Sequence, residues 1–374
     1  MSLTKVTYSM IKGAPVNVLD FGAVGDGVTD DTSAIQAAID ALDSIDGGTL
    51  IFPQGIYGIT DTVFIKDNIK LQGQGRPTIK AIDSIVGAMI QFGYTTGVVT
   101  DPPTNPCSNA ELNGFVVNAD YKVTKINYGP GLDSGVVYVW RYCKYNKIID
   151  CEIKSAECGL VEVEDGADFF ELSNCQIHDI TSTSSATQFQ NLINVDGPTN
   201  AVIDNNNIYD LKISGYSPSS WGYAIRLHAT DSSVVSNNSL DSGWHNLLVD
   251  GRNNTVISNR LTNPANSGVT LFQNDFGCRY NSIINNFIDN DTTASGTVGF
   301  GIREALSGTS PDSAKVTNNY IAGNTIANAG TPLVILNTSG SFSIGNTSIT
   351  GNPDSGTAGS VFLRVQQRAS GKKR

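Results

Sequence analysis

The sequence predicts an all-β fold: a single-stranded right-handed parallel β-helix with an N-terminal capping α-helix. Three observations carry that prediction. A single strong helical pattern stands near the N-terminus. A loose repeat of short apolar strands runs from about residue 150, and its step varies while its local pattern stays fixed.

The helical pattern begins at Asp30-Asp31-Thr32, which offers N-cap oxygens. Ile35, Ala38, Ile39 and Leu42 follow at helical spacing, and Asp46-Gly47-Gly48 stops the run. The predicted helix covers about residues 32–43. An isolated amphipathic helix before a long strand-rich region needs an apolar surface to cover, and the open end of a stacked core supplies one.

The repeat reads as a small polar residue three positions before an apolar one: Asp150…Ile153, Asn174…Ile177, Asn205…Ile208, Asn237…Leu240, Ser258…Leu261, Asn285…Ile288, Asn318…Ile321 and Asn346…Ile349. Its step ranges from 21 to 33 residues by subtraction of these positions. Constant strands joined by loops of variable length behave in this way, whereas helical solenoids keep a tighter period. Stacked Asn side chains bond along such a stack, so the Asn column is read as structural.

A second set of strands precedes these motifs. Its inward pairs are Val161/Val163, Ile193/Val195, Ile225/Leu227, Leu247/Val249, Val269/Leu271 and Phe300/Ile302. Side chains alternate faces along a strand, so the intervening residues form two outward columns. One reads Glu162, Asn194, Arg226, Leu248, Thr270, Gly301. The other reads Trp140, Glu164, Asp196, His228, Asp250, Phe272, Arg303.

Four consecutive titratable groups, Glu164, Asp196, His228 and Asp250, are the expected catalytic residues. Neighbouring coils lie about 4.8 Å apart, which separates Glu164 from Asp196 by one coil and Asp196 from Asp250 by about 9–10 Å. The first spacing is near that of retaining glycosidases, about 5–5.5 Å, and the second near that of inverting ones, about 6.5–9.5 Å. Both outcomes stay open. Crowded carboxylates raise one another's pKa, and His228 between acids can protonate a leaving oxygen or orient a carboxylate. Arg226 is a clamp for an acidic sugar, and β-elimination with His228 as base is the alternative chemistry. The competing reading of the column is a salt-linked ladder that keeps a flat sheet soluble. Glu162, Arg226 and Arg303 are expected to bind substrate, together with the rings of Trp221, Tyr223 and Trp244, which lie in or beside the turns that precede the strands.

Composition limits the partners. A net charge of −11, with only Lys372-Lys373-Arg374 as a basic cluster, argues against nucleic acid. No apolar run reaches the roughly 20 residues that span a bilayer, so no membrane insertion is expected, and residues 1–8 lack a secretory signal pattern. The six cysteines include no C-x-x-C pair and only three histidines are present, so no metal site is expected, and no cofactor either. The cysteines read as small buried residues of a chain made in a reducing compartment.

Residues 16–40, Val-Asn-Val-Leu-Asp-Phe-Gly-Ala-Val-Gly-Asp-Gly-Val-Thr-Asp-Asp-Thr-Ser-Ala-Ile-Gln-Ala-Ala-Ile-Asp, with Gly-Gly-Thr-Leu-Ile-Phe-Pro-Gln-Gly-Ile-Tyr at 47–57, resemble the opening of the pectate-lyase-like (pectin lyase fold) β-helix superfamily. Thr4 to Gly13 resembles the short leader of bacteriophage tailspike and tail-fibre proteins. The resemblance implies a homotrimeric virion protein, made in the host cytoplasm, that works among other phage tail proteins. It also implies that the protein holds, and often cleaves, a bacterial surface polysaccharide. The polygalacturonase Asn-Thr-Asp, Asp-Asp, Gly-His-Gly and Arg-x-Lys set is missing, as is the Asp-Pro-His-Glu string of alginate epimerases, so the resemblance supplies no catalytic set. The expected organisation is a leader at 1–15, the β-helix at 16–351 and a tail at 352–374. Three functions compete: a tailspike depolymerase acting as a glycoside hydrolase or lyase, a non-catalytic spike or tail adaptor, and a cellular pectin-type hydrolase or lyase.

Overall fold

The computed structural model describes residues 13–93, 105–124, 127–129, 132–133, 135–157, 159–182, 191–213, 223–241, 245–264, 266–273, 277–290, 299–305, 316–335 and 340–349. Nearly all of the expected leader and the whole of the expected tail lie outside them. The chain is a parallel β-helix in which three parallel sheets are each assembled from one short strand per coil. It divides into two compact units, and in the chain the boundary falls within the strand Tyr223–His228, with Arg226 the last residue of the first. The helix and first coils belong to the first unit, and each unit is taken by itself.

In the first unit the helix spans Thr32–Asp43, as the apolar spacing requires, and buries Ile35, Ala38, Ile39 and Leu42. It packs on the strands Gly48–Phe52 and Val63–Ile65. Burying each such aliphatic side chain is worth about 1.5–3 kcal/mol. Its N-terminus differs from expectation. Asp31 does not cap the helix; its carboxylate accepts from Val24 N at 2.6 Å and Gly25 N at 3.1 Å, while Asp30 accepts from Thr32 N at 3.0 Å. At the far end Gly47 takes φ 103° and donates its N–H to Leu42 O at 2.9 Å. A Cβ there would stand 2.5 Å from Asn68 O, so only glycine closes this helix.

Core residues stack coil upon coil. Ile153, Ile177 and Ile208 pair in register in the first unit, and Leu240, Leu261, Ile288 and Ile326 do so in the second; all are buried. The repeat therefore follows real coils up to Ile288. Beyond it two assignments fail. Ile321 belongs to another sheet, opposite Ile283, and Ile326 faces Ser348 rather than Ile349. The long step between Ile288 and Ile326 hid the true partner.

The expected Asn column divides into two. Asp150, Asn174, Asn205, Asn237, Ser258, Asn285 and Asn318 occupy left-handed turn positions with φ between 53° and 57°, where Asn and Asp are enriched. The ladder in the second unit is made by Asn238, Asn259, Asn286 and Asn324, all buried, and ends on Asn346, which was a member of the expected column. Each side-chain amide of Asn238, Asn259, Asn286 and Asn324 donates to the next Oδ1, and that Oδ1 also accepts the backbone N–H of the donating residue. A parallel ladder runs through Asn254, Asn281 and Asn319. Buried turn backbone is satisfied in this way along the stack. The five cysteines among the described residues, Cys107, Cys143, Cys151, Cys175 and Cys278, are buried free thiols.

Candidate functional site

The third sheet carries the titratable columns, and its strands break simple alternation once. A Cβ on Gly268 would lie 2.5 Å from Ile288 Cγ2 in the core, and Val269 is also buried there. Gly301 and Ile302 repeat this, with Ile326 as the core neighbour. Two successive residues thus turn inward, so the outward residues that flank them are three apart: Ser267 with Thr270, and Phe300 with Arg303. Ser267 Oγ lies 2.7 Å from Thr270 Oγ1, and the Arg303 guanidinium stands 4.9 Å above the Phe300 ring. Asn191 and Asn194 form the same contact in the first unit at 3.4 Å.

This corrects the expected register. Thr270 pairs with Arg303, not with Gly301, while Phe272 pairs with Ala305. Arg303 therefore belongs to the column of Leu248 and Thr270. Phe300, expected in the core, is partly exposed.

In the first unit Glu162, Glu164 and Asp196 come together. Glu162 pairs with Asn194, whose side-chain amide donates to Glu162 Oε1. Although these positions face away from the core, Glu162 is 5% and Glu164 1% exposed. Burial, then the charges of Glu162 and Asp196, lift the Glu164 carboxyl to about 9, against a weaker opposing pull from Arg141. The Arg141 Nε is 3.8 Å from Glu164 Oε2. Glu164 is thus a neutral acid at pH 7 beside a partly exposed Asp196. Tyr223, expected to overhang the column, is only 3% exposed. Arg226, the last residue of this unit, is partly exposed.

In the second unit His228 and Asp250 form a dyad. His228 Nδ1 lies 2.6 Å from Asp250 Oδ2, and Asp250 Oδ1 accepts the Ala229 N–H at 2.9 Å. Asp250 is 2% exposed, whereas the His228 side chain keeps 26% of its surface. A carboxylate only accepts, so Nδ1 carries the proton that faces Asp250. This is the arrangement of a proton-transfer histidine held by a buried carboxylate. Trp221 and Trp244 lie outside the described residues.

The alternation break also creates polar contacts that the sequence did not reveal. His245, 3% exposed, places Nδ1 2.7 Å from Ser267 Oγ. Arg303 Nε donates to Thr270 Oγ1 at 3.2 Å. The readable signal was a polar or aromatic residue before a Gly-apolar pair, as in Ser267-Gly268-Val269 and Phe300-Gly301-Ile302.

Three comparisons bear on this arrangement. The family described as rhamnogalacturonase A/epimerase, pectate lyase-like, matches residues 15–359. A mannuronan C5-epimerase of Azotobacter vinelandii is 36% identical over 136 residues, 31% of this chain and 9% of the epimerase. The tail spike protein of Shigella phage Sf6 is 27% identical over 164 residues, 39% of this chain and 26% of the spike. Of the mannuronan C5-epimerases the chain therefore spans only a small part. Among solved structures, a tailspike protein mutant of E. coli bacteriophage HK620 in complex with a pentasaccharide superposes with a TM-score of 0.68 at 14% identity, over 91% of this chain and 64% of the tailspike. That likeness is one of fold.

Proposed function

Because the chain belongs to the rhamnogalacturonase A/epimerase, pectate lyase-like family, we propose that it binds a bacterial surface polysaccharide and depolymerises it by acid–base chemistry. The observation that carries this reading is the His228–Asp250 dyad: a partly exposed imidazole fixed at 2.6 Å by a buried carboxylate. In this reading His228 exchanges the proton with the glycosidic oxygen or the attacking water, and Asp250 holds its tautomer and orientation. Glu164, too buried to meet a sugar, stays protonated beside the charge of Asp196, which is partly exposed at the sheet surface. Arg226 and Arg303 bind anionic substituents. Glu162 orients Asn194, and Trp221 and Trp244 are the proposed ring contacts, whereas Tyr223 is too buried to be one. The stretch shared with a phage tail spike supports a tailspike setting, with the protein as a homotrimer on the virion, made in the host cytoplasm and seated among other tail proteins.

A second reading is supported by the epimerase relative, whose named reaction exchanges a proton at C5 of a uronate. A base that removes this proton can also eliminate the 4-linked sugar, and His228 would be that base. One experiment separates the two. The protein is incubated with bacterial surface polysaccharides and with mannuronan, while reducing ends and unsaturated-uronate absorbance are followed together. Hydrolysis raises the first alone and elimination raises both. Flat traces on every polymer would remove the depolymerising reading and leave a binding or adaptor protein, or an epimerase, which changes neither signal.

A further inference from the structure

Four of the five cysteines among the described residues stand in two pairs, each joining neighbouring coils of the first unit. Cys151 and Cys175 face one another in register. Before them Ile149 pairs with Ser173, and after them Glu152 pairs with Gln176, so the chain is pinned on both sides of the pair. Gln176 N donates to Cys151 O at 2.9 Å. Each thiol donates to the carbonyl two residues before it, Cys151 Sγ to Ile149 O and Cys175 Sγ to Ser173 O, both at 3.2 Å. The two side chains therefore point the same way, one above the other.

Cys107 and Cys143 form the second pair. The residues that follow them, Ser108 and Lys144, bridge in parallel, and Lys144 N donates to Cys107 O at 3.2 Å. Cys107 N donates to Cys143 Sγ at 3.1 Å, which seats one sulfur on the backbone of the other cysteine. A Cβ on Gly93 would stand 2.9 Å from that sulfur, so glycine leaves it this seat. All four cysteines are at most 1% exposed. Cys278 is buried as completely, but it lies in the second unit and its register partner is Val316.

Strands paired in register hold their Cα atoms about 4.8 Å apart, within the range of about 4.4–6.8 Å that a disulfide spans. Rotation about the Cα–Cβ bonds is then enough to join the sulfurs without moving the strands. We propose that Cys107–Cys143 and Cys151–Cys175 are coil-to-coil clips, thiol pairs that close to disulfides when a peroxide reaches them and so fasten successive coils of the first unit. One thiolate attacks the peroxide oxygen, which breaks the O–O bond, gives a sulfenic acid and releases water. The thiol one coil away then attacks that sulfur, the S–S bond forms, and the hydroxyl leaves as a second water. Two thiols are oxidised by two electrons in all, and hydrogen peroxide is reduced to two waters. A lone thiol has no such exit and goes on to sulfinic acid. The inference goes beyond the polysaccharide reading, and its test measures neither binding nor cleavage.

The folded full chain is incubated with hydrogen peroxide, remaining thiols are alkylated in denaturant, and the digest is examined by mass spectrometry. The expected products are one linked peptide joining Cys151 to Cys175 and another joining Cys107 to Cys143, each lighter by two hydrogens than the sum of its parts. Cys278, equally buried but unpaired with another cysteine, enters no link and is the internal control. Closure is expected to raise Tm by about 5 °C, and a dithiol reductant returns it to the starting value. Recovery of either pair chiefly as free thiols or sulfinic acids overturns the proposal, as does linkage to other cysteines. A Tm that stays or falls after both links have formed overturns it as well.

Discussion

His228 and Asp250 stand 2.6 Å apart on neighbouring coils, with the carboxylate buried and the imidazole partly exposed. The two were expected to share an outward column in which both met substrate. Asp250 instead spends its oxygens on His228 Nδ1 and on Ala229 N, which makes it the partner that orients the ring.

Asp250→Asn is therefore expected to keep polysaccharide binding while lowering the cleavage rate by about 10²–10⁴-fold. The amide can donate to Nδ1, which moves the ring proton to Nε2. Steady-state kinetics check this: kcat falls and KM stays near its wild-type value.

Glu164 gives a dependence of stability on pH. Its folded carboxyl titrates at about 9 and its unfolded carboxyl near 4.5. Between those values the folded chain holds a proton that the unfolded chain has released. The stability contributed by Glu164 is full below about pH 4.5 and is lost as pH rises toward 9. Glu164→Gln removes that loss. Its Tm is expected to match wild type near pH 4.5 and to exceed it increasingly toward pH 9, in a series of thermal melts.

The buried Asn ladder predicts a large local cost. Asn286 donates to Val256 O and Asn324 Oδ1 and accepts from Asn259 N and Nδ2, with 1% of its surface exposed. Asn286→Ala strands these partners and is expected to destabilise by about 2–4 kcal/mol. Exposed Asn285, at the adjacent turn, should cost far less when changed to glycine, which tolerates its φ of 53°. Denaturant titrations of the two variants compare them directly.

Gly268 is the point where the strand departs from alternation. Gly268→Ala would bring a Cβ to 2.5 Å from Ile288 Cγ2 and 2.9 Å from Gly301 O. A destabilisation of about 1–3 kcal/mol is expected, read as a drop in Tm. The same substitution should disturb the Ser267–Thr270 contact.

Much of the fold was legible in the sequence because it rests on local periodicity. The spacing of Ile35, Ala38, Ile39 and Leu42 specified the helix, and the inward pairs Val161/Val163 and Leu247/Val249 specified the third sheet. Legibility ended where a strand departed from period two. Gly268 and Gly301 each add an inward position, and a strict alternation then misplaces Phe300 and Arg303. Ser267 went unnoticed for the same reason, since it lies three residues from the column rather than two. The Asn ladder was offset by one residue because turn and ladder positions are both rich in asparagine, and only φ distinguishes them. The meeting of His228 with Asp250 followed from register alone; the burial that divides their roles did not.

The most direct measurement is the release of reducing ends from a bacterial surface polysaccharide that the wild-type protein cleaves, compared with His228→Gln under identical conditions. Gln keeps the size and polarity of the side chain but cannot exchange a proton near neutral pH. The expected result is near-complete loss of product with binding and Tm preserved. Wild-type rates in His228→Gln would contradict the acid–base role assigned to the dyad.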